Sequence, residues 1–132
     1  MVRFLVATND VKTSESLVEY LETRATDGDV VYVVNSLVGG DDTDDKDVFA
    51  GRDAIEYVED TLSDSVTVET HQLVRGNTAA EDIQKFAADK DVNEIVIGIR
   101  KRSPTGKVVF GSNAQDILLS SERPVVAVPL SE

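Results

Sequence analysis

The chain has no cysteine, which removes disulfide frameworks, thiol catalysis and zinc–thiolate sites. Its single histidine, His71, excludes a multi-histidine metal site within one chain. Basic residues are scarce too: 13 Lys and Arg stand against 25 Asp and Glu, a formal net charge of −12. That balance repels phosphate backbones and anionic membrane surfaces, so neither a nucleic acid nor a membrane is an expected partner. No apolar run approaches the ~20 residues that span a bilayer. Residues 1–10 lack the separate apolar segment and small-residue cleavage site of a signal peptide. The expectation is a soluble, cytoplasmic protein without a resident metal.

The 132 residues are 41% hydrophobic, which argues against disorder and for a single domain spanning 1–132. A domain of this size buries roughly two thirds of the surface its unfolded chain exposes, enough for a core without staples. The acid is spread along the chain rather than gathered in a tail. Such a halophilic acidic surface suits a cytoplasm of high ionic strength, where screening confines carboxylate repulsion to short range.

Apolar periodicity alternates along the chain. Phe4–Ala7 is a short apolar run closed by the turn formers Thr8, Asn9 and Asp10 and reads as a buried strand. Leu17, Val18 and Leu21 form one stripe of a helix starting near Thr13 or Ser14. Val30–Val34 is a continuous, β-branched strand, and Ala54, Ile55, Val58 and Leu62 mark a second helix. Val66, Val68, Leu73 and Val74 bracket a more polar strand nearer a sheet edge. Thr78 and Glu81 fit a capping box ahead of Ile83, Phe86 and Ala87. Ile95–Ile97 is the next strand, Ala114, Ile117 and Leu118 a fourth helix, and Val125–Val128 a last strand bounded by Pro124 and Pro129. Residues 39–47 are too polar to pack and read as an exposed loop. Strands that are apolar throughout, alternating with helices, predict a doubly wound parallel sheet with helices on both faces, a three-layer sandwich.

In such a sheet ligands bind beyond the carboxyl ends of the strands, where strand order reverses. Thr8–Asp10, Val33–Asn35 and the segment from Gly98 converge there. The last holds Arg100, Lys101, Arg102 and Lys107 in an otherwise acidic chain and leads to a helix opened by Gly111, Ser112 and Asn113. Free N–H groups at a helix start, the positive end of its dipole and nearby cations make an anion site. The same residues also suit a solvated loop, a strand-ending Gly98 and a capping Ser112. Sharper readings fail. Residues 105–107 imitate the end of a P-loop, but Lys101 and Val108 break it. No G-x-G-x-x-G follows the first strand, and residues 39–47 lack calcium-loop spacing. His71 has no catalytic serine beside it and reads as structural or exposed.

The run from Ile95 to Gly98, the pair Gly111–Ser112 and the closing Arg123–Pro129 resemble the universal stress proteins. The opening Phe4–Asn9, the strand Val30–Asn35 and the segment Arg75–Ile83 extend the resemblance over nearly the whole chain. It implies a five-stranded sheet in the order 3-2-1-4-5 and a homodimer. The last strand often pairs with its copy, here through Val125, Val126, Ala127 and Val128, an apolar edge strand of the kind that must be covered. The family's ATP-binding branch carries Gly-x2-Gly-x9-Gly-Ser/Thr and an aspartate after the first strand. Gly98, Gly111 and Ser112 match in register, whereas Lys101 replaces the second glycine and Asn9 the aspartate. Val33 falls where a backbone group contacts adenine. Asn9 still offers an acceptor and gains a donor, and the Lys101 ammonium suits a phosphate.

The nucleotide-site candidates are therefore Thr8, Asn9, Val33, Gly98, Arg100, Lys101, Gly111, Ser112 and Asn113, with ATP (and Mg2+) or AMP as ligand. The expected function is a dimeric stress-response module that binds adenine nucleotide and acts through a protein partner of unknown identity. A nucleotide-free dimer working by protein contacts is the alternative. A slow ATPase comes third, since Asp10 is the only plausible base near the loop.

Overall fold

The computed structural model describes residues 1–37, 45–74, 78–99 and 112–130. Its elements alternate: β1 (Arg3–Ala7), α1 (Val11–Arg24), β2 (Val30–Leu37), α2 (Asp45–Leu62), β3 (Thr67–Val74), α3 (Ala79–Lys90), β4 (Glu94–Ile99), α4 (Ser112–Ser120) and β5 (Val125–Pro129). The strands form one parallel sheet in the order β3-β2-β1-β4-β5, as expected.

Strand β1 sits at the centre, and Phe4, Leu5 and Val6 are fully buried. Successive side chains point to opposite faces, so an unbroken apolar run means that both faces are covered. Phe4 and Val6 join Val31, Val33 and Val96 under Leu17, Val18 and Leu21 of α1 and Ile55, Val58 and Leu62 of α2. Leu5 joins Tyr32, Val34, Ile95 and Ile97 under Ala80, Ile83 and Ala87 of α3 and Ile117 of α4. Each face thus has its own core, and the strands serve both.

Local chemistry sets the element ends. The Asp10 side chain accepts from the Thr13 N–H at 2.8 Å, so α1 begins at Val11, ahead of the Thr13 or Ser14 start that its apolar stripe suggests. At α3 the Thr78–Glu81 capping box forms as the sequence predicts. Residues 45–47, expected in an exposed loop, are instead the first turn of α2, where Asp45 and Asp47 meet the positive end of the helix dipole. The rest of that expected loop lies outside the described residues. Strand β2 runs on past its apolar stretch through Asn35 and Ser36, in register with Gln72 and Leu73 of β3.

The turn entering β2 is tied down by Asp29. Gly28, at φ +91°, supplies the left-handed residue that the Thr26–Asp29 turn requires. The buried Asp29 carboxylate accepts from the Thr26 N–H at 2.9 Å and from the Val2 N–H at 2.8 Å, pinning the chain start to β2. Those two backbone donors hold its pKa below the usual carboxylate value. On acidification the unfolded chain then takes up this proton before the folded one does. The clamp's contribution is therefore complete above the ordinary carboxylate pKa and lost as pH falls through the lowered one. The melting-temperature gap between the native protein and Asp29→Asn is expected to narrow below about pH 4. A gap that stays constant on acidification excludes the clamp as its source.

Candidate functional site

Strands β1 and β4 are neighbours whose crossovers leave in opposite directions, so their carboxyl ends form the switch point of the sheet. A crevice opens there. Its apolar walls are Ala7 at the end of β1, Val34 of β2, Ala79 and Ile83 of α3, Ile97 of β4, and Ala114 and Ile117 of α4. Polar groups edge it: Thr8, Asn9, Asn35, Ser36 and Asn113. Its volume, ≈120 Å³, is several times the ~10–15 Å³ that one water requires. An apolar slot with a few polar groups at its mouth has the lining usual for a small-molecule site.

The polar side chains of the floor bond to protein partners. The Thr8 N–H donates to the Val34 carbonyl at 3.0 Å, extending the β1–β2 ladder past the end of β1. The buried Thr8 hydroxyl lies 2.8 Å from that of Ser14, which donates to the Ala54 carbonyl of α2 at 2.9 Å. Asn35, 1% exposed, donates through Nδ2 to the Thr8 carbonyl at 2.9 Å and accepts through Oδ1 from Gln72 Nε2 at 3.1 Å. Gln72 also donates to the Val48 carbonyl at 2.9 Å. Gly51 makes room for this pair: a Cβ there would run into the Asn35 amide and come within 2.9 Å of Gln72 Nε2. On the α3 side, the Ser36 hydroxyl donates to Oδ2 of buried Asp82 at 2.6 Å.

Of the residues singled out from sequence, Thr8, Asn9 and Asn113 line this one crevice. The Asn9 side chain is exposed at the rim, where its Oδ1 accepts from the Thr13 hydroxyl at 3.3 Å. Val33 lies in the middle of β2, in register with Val6 of β1 and Thr70 of β3, and its side chain is fully buried in the core beneath α1 and α2; the β2 residues that line the crevice are Val34, Asn35 and Ser36 instead. Gly98 is followed in β4 by Ile99, and a Cβ on it would meet Leu130 Cδ2 at 2.6 Å. The close approach that this glycine permits is to Leu130. Ser112 opens α4, which brings the positive end of that helix to the crevice. Arg100, Lys101 and Gly111 lie outside the described residues, as does the Ser112 side chain. Asp10 caps α1, so its carboxylate is engaged by the Thr13 N–H. The His71 ring is half-buried and packs edge-on against Phe86, with centroids 4.8 Å apart. Val125–Val128 of β5 are half-buried at the sheet edge opposite β3.

Sequence reasoning passed over Ser36, Asp82 and, Val34 apart, the apolar walls. The one available signal was the polar pair Asn35–Ser36 closing a run of five apolar residues. Among the described residues, no group of three or more His, Asp or Glu is arranged to hold a metal, and no helix is long and apolar enough to cross a membrane.

Comparison with known proteins agrees with this architecture. Residues 1–129 match the model of the universal stress protein family. A universal stress protein of Mycolicibacterium smegmatis is 39% identical over 97 residues, covering 73% of this chain and 72% of its own. The structure of a universal stress protein from Archaeoglobus fulgidus superposes with a TM-score of 0.82 at 36% identity, covering 97% of this chain and 98% of that one. A universal stress protein of the same organism in complex with dAMP superposes with a TM-score of 0.75 at 30% identity, over 97% and 98% of the two chains.

Proposed function

The chain belongs to the universal stress protein family, and from that premise we propose that its strand-end crevice binds an adenine nucleotide, AMP or Mg2+-ATP. The observation that carries the reading is the apolar slot between Val34, Ile83, Ile97 and Ala114, opening beside the first turn of α4. The apolar walls of the slot suit a purine and the N-terminal peptide groups of α4 suit a phosphate, and the sequence carries Arg100, Lys101, Arg102 and Lys107 in the segment leading to that helix. The dAMP complex of the Archaeoglobus fulgidus relative supports the same ligand class. Ser112 and Gly111 are assigned to the phosphates and Asn9 to the base or ribose edge.

The module is a cytoplasmic homodimer joined through the β5 edge, and it passes nucleotide occupancy to a protein partner as part of a stress response. It is not assigned catalysis, because Asp10, the nearest carboxylate considered as a base, serves as a helix cap.

The test is to purify the protein in molar KCl, denature it, and identify any released small molecule by mass spectrometry. Near-stoichiometric adenine nucleotide is the expected result. If the protein emerges empty, AMP or Mg2+-ATP at a hundredfold excess over Kd is expected to stabilise it by about 2.7 kcal/mol, several degrees in melting temperature. No released nucleotide together with no thermal shift overturns the proposal and leaves the nucleotide-free dimer, the reading that the replacements Lys101 and Asn9 favour.

A further inference from the structure

The slot has a wall of fixed polarity. Ser36 is half-buried near the end of β2, on the same sheet face as Tyr32 and Val34, and lines the crevice. Its hydroxyl donates to Asp82 Oδ2 at 2.6 Å, within the range typical of an O–H bonded to an ionised carboxylate. Asp82 is 3% exposed and lies in the first turn of α3, where the helix dipole favours its negative charge.

A hydroxyl has one hydrogen and two lone pairs. Asp82 takes the hydrogen, so Ser36 turns only lone pairs toward a ligand. Of the other polar side chains at the slot, the Thr8 hydroxyl is buried and engaged by Ser14 and the Asp10 carbonyl, and the asparagines do not impose a sign of this kind. Asn35 is turned to the opposite layer and bonded there at both ends of its amide. Asn9 and Asn113 stand at the exposed rim, and each carries both donor and acceptor atoms.

We infer that the Ser36–Asp82 pair selects the base: it accepts a hydrogen bond from the exocyclic amine of a 6-aminopurine and rejects a 6-oxopurine, whose O6 would face it lone pair to lone pair. The inference deepens the nucleotide reading and rests on it. Neither residue is a phosphate contact, so their effect falls on base choice rather than on nucleotide binding as a whole. A site that pairs a ligand's amine discriminates strongly against the analogue lacking it, because the site's own polar group is then left unpaired.

The experiment measures the Kd of AMP and of IMP by isothermal titration for the native protein, Ser36→Ala and Asp82→Asn, with a melting curve for each. These ligands share ribose and phosphate and differ only at purine positions around C6. The native protein is expected to prefer AMP by at least about tenfold. In Asp82→Asn the side-chain amide can itself donate to Ser36, releasing the hydroxyl hydrogen toward the ligand. The preference is expected to collapse in that variant mainly through tighter IMP binding. In Ser36→Ala it collapses through weaker AMP binding. The two variants thus lose selectivity from opposite directions, a pattern that general loosening of the fold does not produce.

Equal native affinities for AMP and IMP, or a preference unchanged in both variants, overturns the inference while leaving the nucleotide site standing. A native protein that binds neither overturns both. Should Asp82→Asn fail to fold, Ser36→Ala decides alone: it removes the hydroxyl on the slot wall, and an AMP preference equal to the native one refutes the role assigned to it.

Discussion

Gly51→Ala is expected to destabilise the protein by about 2–4 kcal/mol, although alanine in place of glycine inside a helix ordinarily stabilises by about 0.5–1 kcal/mol. Gly51 is buried midway along α2, and its missing side chain is where the Asn35 amide lies. An added methyl collides with that amide and crowds Gln72 Nε2. Surface side chains would swing away, but these two have nowhere to go. Asn35 is held by the Thr8 carbonyl and by Gln72, and Gln72 in turn by the Val48 carbonyl. Relief means either lifting α2 from the sheet, which forfeits packing, or rotating the amide, which strands buried donors and acceptors. Urea titration measures the change as a shift in midpoint at constant slope. A midpoint equal to or above the native one would show that the Asn35–Gln72 pair can be re-routed without loss, and the account of the floor would be wrong. Because Asn35 also fixes the Thr8 carbonyl, any surviving Gly51→Ala protein is expected to bind AMP more weakly.

Ala114→Phe is expected to raise the AMP Kd by at least about a hundredfold, equivalent to roughly 2.7 kcal/mol. Ala114 is half-buried in the first turn of α4, on the wall of the slot, and borders the core shared by α3 and α4. A phenyl ring there would occupy the apolar space assigned to the base. That space exists already, so the fold is expected to keep its melting temperature or gain slightly, as cavity-filling changes do. Titration calorimetry on the variant, alongside its melting curve, separates a blocked slot from a damaged fold. Undiminished AMP affinity would move the base elsewhere and remove the slot from the proposed function.

The architecture was legible because its signals are local and repeated. β1 declares itself as an apolar run closed by Thr8-Asn9-Asp10, and Thr78 with Glu81 marks the start of α3 within four residues. Residues 45–47 misled because a run of aspartates reads as solvated loop, whereas a helix start accommodates acid in its first turn. The polar end of β2 was hidden for another reason. Asn35 stays in the strand because Gln72, opposite it in register, satisfies its carbonyl oxygen, a fact that belongs to the pairing of two strands.

The site divides in the same way. Thr8, Asn9 and Asn113 follow from the rule that ligands meet parallel sheets at the switch point. Ser36 and Asp82, 46 positions apart, are brought together only by packing α3 on β2. Gly98 shows the converse. A glycine in a suggestive spacing turned out to have a close neighbour, Leu130, that no local pattern announces.

The strand order has a consequence for how the chain comes to be folded. The central strand is the first one synthesised, and one of its two neighbours, β4, follows some 90 residues later, with pairing from Phe4↔Glu94 to Val6↔Val96. While β1, α1 and β2 emerge they can assemble locally, since Arg3–Ala7 pairs with Val30–Val34 across a single crossover. The other flank of β1 then stays open, presenting an unpaired apolar edge until β4 leaves the ribosome. A nascent chain halted before Glu94 therefore carries an adhesive margin in the middle of its future sheet. The interval between making β1 and closing it is a period in which the growing sheet is exposed to aggregation.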